Sequence, residues 1–189
     1  MSGSGHTEAS TDLLILVDSS DNVIGHAAKA ACHDGDGRLH RAFSIFIFNG
    51  RGELLLQQRS SHKRLWPGFW SNSCCSHPRQ GERLDGAASR RLREELGLQA
   101  SLRSLYAFEY QARFADAGSE HELCTVLVGR VGGTGAWVTT DPDEIAACRW
   151  VSPEDLDREI AEMPDQLTPW LKIEWQRLRA DFADVIAAL

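Results

Sequence analysis

Two rhythms of apolar side chains run along this chain. Through its first two-thirds they come as short continuous or alternating runs broken by Gly, Asn and Asp, and towards its end as stripes at intervals of three and four. The first rhythm predicts strands and the second helices, because side chains share a face every second residue in a strand and every third or fourth in a helix. Leu13–Val17 predicts a buried strand, turned by Asp18-Ser-Ser-Asp-Asn22 into a second short strand over Val23–His26. Ala42–Phe48 and Glu53–Gln58 flank Asn49-Gly-Arg-Gly52, and an Asn-Gly pair between β-rich runs predicts a hairpin, here at the centre of the sheet. From Ala87 to Leu96 the apolar positions Ala88, Leu92 and Leu96 recur every four residues, and Gly97 supplies a stop, which predicts a helix. Leu102–Tyr110 reads as a strand, FADAGSEHE as a polar connection, and Glu120–Val131 as a long strand. Trp150 and Val151 end a last strand, closed by Ser152 as N-cap and Pro153 at the first helical position. Thr168-Pro169 repeats that start signal ahead of a final helix with Leu171, Trp175, Leu178, Phe182, Val185 and Leu189 on one stripe, suited to covering the sheet.

No internal repeat, low-complexity block or second apolar core interrupts this series, so residues 12–189 are expected to form one α/β domain behind a flexible tail over residues 1–11, which is rich in Gly, Ser and Thr. A hydrophobic fraction of 42% and a charged fraction of 25% are ordinary for a globular protein of 189 residues. The net charge of −7 argues against a nucleic-acid or anionic-membrane partner, which would need clustered Lys and Arg. A small molecule is the expected partner, and an anionic one would need a local basic pocket. Leu13–Val17, the longest early apolar run, is too short to span a bilayer or to act as a signal segment. Cys32, Cys74, Cys75, Cys124 and Cys148 form an odd set without metal-finger spacing, which favours free thiols in a reducing, cytoplasmic setting.

Reactive side chains concentrate between Trp66 and Leu98. If Ser73–His77 is extended, Cys75 and His77 share one side while Cys74 and Ser76 face the other. On the helix that follows, Arg91 and Glu95 are four apart and therefore neighbours, with Glu94 beside them. Upstream, Lys29, His33, Arg38 and His40 surround an Asp34-Gly-Asp-Gly37 turn; two imidazoles seven apart do not by themselves make a site. On the long strand, Glu120, Glu122, Cys124, Val126 and Val128 share a face that becomes apolar beyond its start. Two carboxylates carried into an interior need a cation or a metal, since burying them unpaired is costly.

The frame Ser76, Glu82, Arg90, Arg91, Leu92, Glu94, Glu95, Gly97, Leu98 resembles the Nudix box, with two departures. Ser76 stands where the box has Gly, and Arg91 where hydrolases of that superfamily carry a metal-binding glutamate. A guanidinium there removes a ligand and a possible base, and supplies a fixed cation suited to gripping phosphate. Together with WPGFWSNSCCSHP, KxxxH, a second His, YxAR and ExExC in the same order, the chain resembles the type I isopentenyl diphosphate isomerase branch of the Nudix superfamily over about Leu14 to Leu178.

The resemblance implies a mixed sheet sandwiched by helices in a single compact domain. It implies Cys75 and Glu122 as catalytic groups, with the Tyr110 hydroxyl assisting. Lys29, Arg59, Lys63 and Arg91 would hold a diphosphate, and Trp170 would present its indole to a carbocation. His33, His40, His77, Glu120 and Glu122 would ligate Mn²⁺ or Mg²⁺, or else Zn²⁺, and Glu95 would hold a second Mg²⁺ through the substrate's diphosphate. The implied substrate is a small prenyl diphosphate and the implied state a monomer, with a dimer as the alternative. The reaction protonates a double bond and removes a proton from the neighbouring carbon, with no hydride transfer. Three other readings stand beside it: a Nudix pyrophosphohydrolase, weakened by Arg91; a noncatalytic diphosphate-binding module, which would tolerate loss of Cys75; and a structural metal protein using both Cys74 and Cys75.

Overall fold

The computed structural model describes residues 13–133 and 138–189; the tail expected over residues 1–11 lies outside them. The chain order is β1 (Leu13–Val17), β2 (Val23–Ala28), α1 (Lys29–Cys32), β3 (His40–Phe48), β4 (Leu54–Arg59), β5 (Trp70–Ser71), β6 (Cys74–Ser76), α2 (Leu84–Leu96), β7 (Leu102–Phe114), β8 (Gly118–Arg130), β9 (Ile145–Val151), α3 (Pro153–Glu162), α4 (Pro169–Asp181) and α5 (Ala183–Ala187).

β3 organises the sheet. Along one edge it pairs in parallel with β8, from His40↔Glu122 to Phe48↔Arg130. On its other edge it meets three separate segments: β1 at His40, β6 at Phe43–Ile45 and β4 at Phe48. The hairpin expected at Asn49-Gly therefore closes with a single pair, Phe48↔Leu54, after which β4 leaves β3 and pairs with β9 and β5. This split opens room between β3 and β4 for β6 and its cysteines. Asn49 fixes the turn, its Oδ1 accepting from the Arg51 and Glu53 amides.

The period of two sorts β3 cleanly. Phe43, Ile45 and Ile47 face the α2 side, packed with Ala88, Leu92, Leu96 and Leu127. Phe46 and Phe48 face the opposite side with Val126, Val128, Leu171, Trp175 and Leu178, so α3 and α4 cover that face. The result is the mixed sheet between helical layers that the sequence implied.

Four expectations shift in the structure. α2 begins at Leu84 and not Ala87, since Leu84 packs against the same cluster as Ala88 and extends the stripe back one turn. Its end is as expected: Gly97 is left-handed at φ 65°, and its amide bonds to the Arg93 carbonyl. The FADAGSEHE segment is mostly strand: β7 and β8 pair from Tyr110↔Glu122 out to Phe114↔Gly118, leaving only Ala115–Ala117 as the turn. The final helix is two, because the backbone leaves the helical region at Phe182 (φ −129°), where the ring stacks on Tyr106 at 5.3 Å. Ile186 and Leu189, not Val185, then pack against the core. Ser152 caps α3 as expected, its Oγ accepting from the Asp155 amide at 3.1 Å, whereas the Thr168 hydroxyl makes no cap and points to Ser71 Oγ at 3.2 Å. All five cysteines are free.

Candidate active site

Register builds the site. His40 lies opposite Glu122 in the parallel β3–β8 ladder, and Tyr110 lies opposite Glu122 in the antiparallel β7–β8 ladder, so three strands set these side chains in one row. One step along, Ala112 pairs with Glu120, and Glu120 shares the inward face with Glu122. Gly118 lets the β7–β8 turn close against α1: at φ 137° it lies so near the His33 carbonyl that a Cβ would collide with it, and the Ser119 amide donates to that same carbonyl at 3.1 Å. His33 is thereby carried to Glu120, with Nε2 to Oε2 at 2.8 Å. His77 follows directly after β6, and its Nε2 is 2.9 Å from Glu122 Oε1.

The ligand atoms of His33, His40, His77, Glu120 and Glu122 all lie within 4.8 Å of one another. Two imidazoles are oriented from behind: His33 Nδ1 is 2.6 Å from the Lys29 carbonyl and His40 Nδ1 2.6 Å from the Arg38 carbonyl. A carbonyl only accepts, so each Nδ1 carries the hydrogen and each Nε2 faces the cluster. His40 is fully buried, and its Nε2 has no hydrogen-bond partner. An acceptor lone pair left bare beside two carboxylates, in a protein that satisfies nearly all its buried polar atoms, is what a cation site requires. The donor set, nitrogen and oxygen without thiolate, suits a divalent first-row or magnesium ion.

Electrostatics agree with that geometry. Burial, and then the neighbouring imidazoles, hold His77 neutral well below its ordinary range, and burial lowers His40 to about 4. Burial and the adjacent Glu120 push Glu122 well above the carboxylate range. For Glu120 burial acts upward, but the His33 hydrogen bond and charge outweigh it and hold the group below the carboxylate range. The pair thus holds one proton on Glu122, and a bound cation would displace it.

Beside the cluster is a cavity of about 300 Å³, at the small end for ligand pockets, lined by Lys29, Arg59, Lys63, Cys75, Tyr110, Glu122 and Trp170 among others. Cys75 and His77 both line the cavity, but so does Ser76, which the strand period had placed on the other side; Cys74 is fully buried among the α2 core residues. The Cys75 thiol donates to Asn72 Oδ1 at 2.8 Å, and burial followed by the nearby Glu174 raises it to about 12. The Tyr110 hydroxyl donates to Glu122 Oε2 at 2.7 Å. Trp170 also lines the cavity, fixed by Nε1 donating to Ser71 Oγ at 2.9 Å and by an edge contact with Trp66 at 5.1 Å.

The four cations divide. Lys29, Arg59 and Lys63 line the cavity; Arg91 does not, and lies behind it in ion pairs with Glu94, Glu95 and Glu144. Lys63 pairs with the same Glu144, and burial together with Lys29 and Arg59 lowers it to about 8. Arg59 also props the loop, donating to the Leu65 and Trp66 carbonyls, with its guanidinium 5.2 Å from the Trp170 ring. Glu95 is buried in contact with Arg91. The remaining box acids are structural: Glu82 and Glu94 both bind Arg90, at 2.7 and 3.0 Å.

Sequence reasoning missed Asn72, Ser71, Ser44, Glu144 and Glu174. Ser71 and Asn72 carried a local signal, standing in the WPGFWSNSCCSHP string; the others reach the site through strand pairing or helix docking.

The chain matches the NUDIX domain model over residues 38–171. It is 46% identical over 157 residues to an isopentenyl-diphosphate Delta-isomerase of Burkholderia multivorans, covering 83% of this chain and 87% of that protein. To isopentenyl-diphosphate Delta-isomerase 1 of Photorhabdus laumondii it is 42% identical over 164 residues, covering 86% and 92%. Among solved structures, DR0079 from Deinococcus radiodurans superposes with a TM-score of 0.71 at 25% identity, over 88% of this chain and 98% of that one. A MutT protein from Methanosarcina mazei shares the fold alone, with a TM-score of 0.59 at 19% identity over 75% of this chain and 93% of that one.

Proposed function

The chain belongs to the Nudix family, in its isopentenyl-diphosphate Delta-isomerase branch, and we propose that it interconverts isopentenyl diphosphate and dimethylallyl diphosphate, a step of isoprenoid precursor biosynthesis, with Cys75 and Glu122 as its catalytic acid and base. The observation that carries this reading is the placement of a protonated thiol and a glutamic acid side chain on one small cavity, with an indole and the cations Lys29, Arg59 and Lys63 in its lining.

Protonating the alkene generates a tertiary carbocation, so the pocket must be dry and must offer a proton donor, an acceptor and an electron-rich surface. Cys75 holds its proton firmly and is aimed by Asn72. Its S–H proton goes to the terminal alkene carbon, the π pair forms the new C–H bond and the sulfur keeps its own pair. Glu122, steadied by the Tyr110 hydroxyl, takes a proton from the adjacent carbon, whose electrons close the new double bond. The Trp170 face is worth about 2 kcal/mol to a desolvated cation, too little to act alone. Lys29, Arg59 and Lys63 take the diphosphate, with Arg91 behind them.

His33, His40, His77, Glu120 and Glu122 would hold Mn²⁺, Mg²⁺ or Zn²⁺, which when bound stabilises the ionised Glu122 that proton acceptance requires. Glu95 would hold a second Mg²⁺ shared with the diphosphate, beside Arg91. Free cysteines support a reducing, cytoplasmic setting, and we assign residues 12–189 to one domain acting as a monomer. Among the described residues no helix is long and apolar enough to cross a membrane.

Purified protein given Mg²⁺ and isopentenyl diphosphate should form dimethylallyl diphosphate without releasing phosphate. Phosphate or pyrophosphate as the product would instead favour a pyrophosphohydrolase.

A further inference from the structure

Arg64 follows Lys63 in the loop between β4 and β5 and also lines the cavity, yet the reaction above gives it no part. Lys63 pairs with Glu144, just ahead of β9, whereas all three guanidinium nitrogens of Arg64 reach to the segments around His33. Nε donates to the Ala117 carbonyl at 2.8 Å, Nη1 donates to the Ala30 carbonyl at 3.4 Å, and Nη2 lies 2.7 Å from Asp34 Oδ1.

Each of these acceptors adjoins a site residue. Ala30 follows Lys29 on α1, Asp34 follows His33, and Ala117 stands in the β7–β8 turn, whose Ser119 amide donates to the His33 carbonyl. Gly118 keeps that corner open, since a Cβ there would come within 3.2 Å of Arg64 Nη2 as well as strike the His33 carbonyl. On the far side of Arg64, Arg59 holds the Leu65 and Trp66 carbonyls, and Trp66, left-handed at φ 48°, meets the Trp170 ring edge-on. One planar guanidinium, with its donors in a fixed fork, therefore joins the loop bearing Lys63 and Trp66 to the helix bearing Lys29.

The Arg64 and Asp34 side chains are 46% and 65% exposed, and a single ion pair at such a place contributes little to stability. What sets Arg64 apart is what it joins. Lys29, Arg59 and Lys63 come from three elements and must converge on one anion, yet they repel one another while it is absent; burial, and then Lys29 and Arg59, lower Lys63 to about 8. A tie between α1 and the loop holds two of these cations together before the anion arrives, which spares the cost of ordering them on binding. We propose that Arg64 is a positioning residue for the diphosphate: by clamping the Lys63 loop to α1 and Asp34 it keeps Lys29 and Lys63 converged on the cavity, without itself touching the phosphates. The inference rests on the diphosphate-binding part of the isomerase reading given above.

The test uses the full chain with Mg²⁺ present, in about 0.15 M salt to screen distant charges. Calorimetry with inorganic pyrophosphate, and kcat and KM for isopentenyl diphosphate, are measured for the wild type, Arg64→Met, Asp34→Asn and the double variant. Arg64→Met should weaken pyrophosphate binding and raise KM by about tenfold each, while kcat stays within about threefold. Asp34→Asn keeps the guanidinium and removes its charged anchor, so it should weaken pyrophosphate binding by about threefold; a guanidinium that gripped phosphate directly would be freed by that change and bind as well or better. The double variant should be no weaker than Arg64→Met, because both changes cut one tie. Unchanged pyrophosphate affinity in Arg64→Met overturns the proposal, as do unchanged or tighter binding by Asp34→Asn, an additive double variant, or a loss carried by kcat alone. Pyrophosphate binds without turning over, so the two readings fail separately. A wild type that binds it in an Arg64-dependent way but forms no dimethylallyl diphosphate loses the isomerase reading and keeps this one, and a wild type that isomerises while Arg64→Met binds pyrophosphate unchanged does the opposite.

Discussion

Cys74 and Cys75 are neighbours in sequence and strangers in environment. β6 turns the first into the core under α2 and the second into the cavity beside His77, so one peptide bond separates a packing thiol from one that lines the cavity. Substituting Cys75 by Ala should therefore abolish isomerisation by at least about a hundredfold, the usual worth of a positioned acid, while unfolding stays cooperative. Cys74→Ala should keep activity and lose about 1–2 kcal/mol of stability through the small void it leaves. Steady-state kinetics and denaturant melts on the two variants check this, and comparable activity in both would refute the assignment. A noncatalytic diphosphate-binding module would also show no difference between them.

At the level of elements, what was legible in the sequence was whatever a local period or a turn residue dictates. The face shared by Glu120, Glu122 and Cys124 followed from the strand period, and the end of α2 from Gly97. Pairing between distant strands was not legible. Nothing in Asn49-Gly tells that β4 abandons β3 after one pair, because the competing partners β6 and β9 are remote in sequence. Glu174 stayed hidden for a similar reason: on the α4 stripe it is a charged residue between Leu171 and Leu178, and only helix docking reveals that it points inward. The length of the β7–β8 hairpin, missed in the sequence, gives a prediction of its own. Gly118 carries a positive φ and touches the His33 carbonyl, so Gly118→Ala should cost about 1–3 kcal/mol in backbone strain. It should also weaken metal binding, since the turn that holds His33 against Glu120 must move. Isothermal titration with Mn²⁺ would show the loss, and an unchanged affinity would contradict this account of how His33 is placed.

On the scale of the whole molecule, two apolar clusters on opposite faces of the sheet are built without His33, His40, His77, Glu120 or Glu122, so the fold should stand without a bound metal. Chelation should remove activity yet leave cooperative thermal unfolding, whereas a structural metal protein would unfold. The acid–base state of the site sets a sign for the pH dependence. His40 and His77 are already neutral near pH 7, while Glu122 holds a proton that a cation must expel. Metal binding at neutral pH should therefore release about one proton, and affinity should rise with pH. Titration calorimetry in buffers of different ionisation enthalpy measures that proton, and its persistence in Glu122→Gln would place it elsewhere.

Cys75, Glu122 and the cations Lys29, Arg59 and Lys63 around one cavity, with Arg91 in place of a hydrolase carboxylate, fit a reaction that moves hydrogen and leaves the diphosphate whole. Incubation with isopentenyl diphosphate and Mg²⁺ in D₂O tests that directly, read by mass spectrometry of both isomers alongside an assay for inorganic phosphate. One proton enters and another leaves at each turnover, so dimethylallyl diphosphate should carry solvent deuterium while phosphate and pyrophosphate stay at background. Deuterium absent from both isomers, with inorganic phosphate accumulating, would contradict the account.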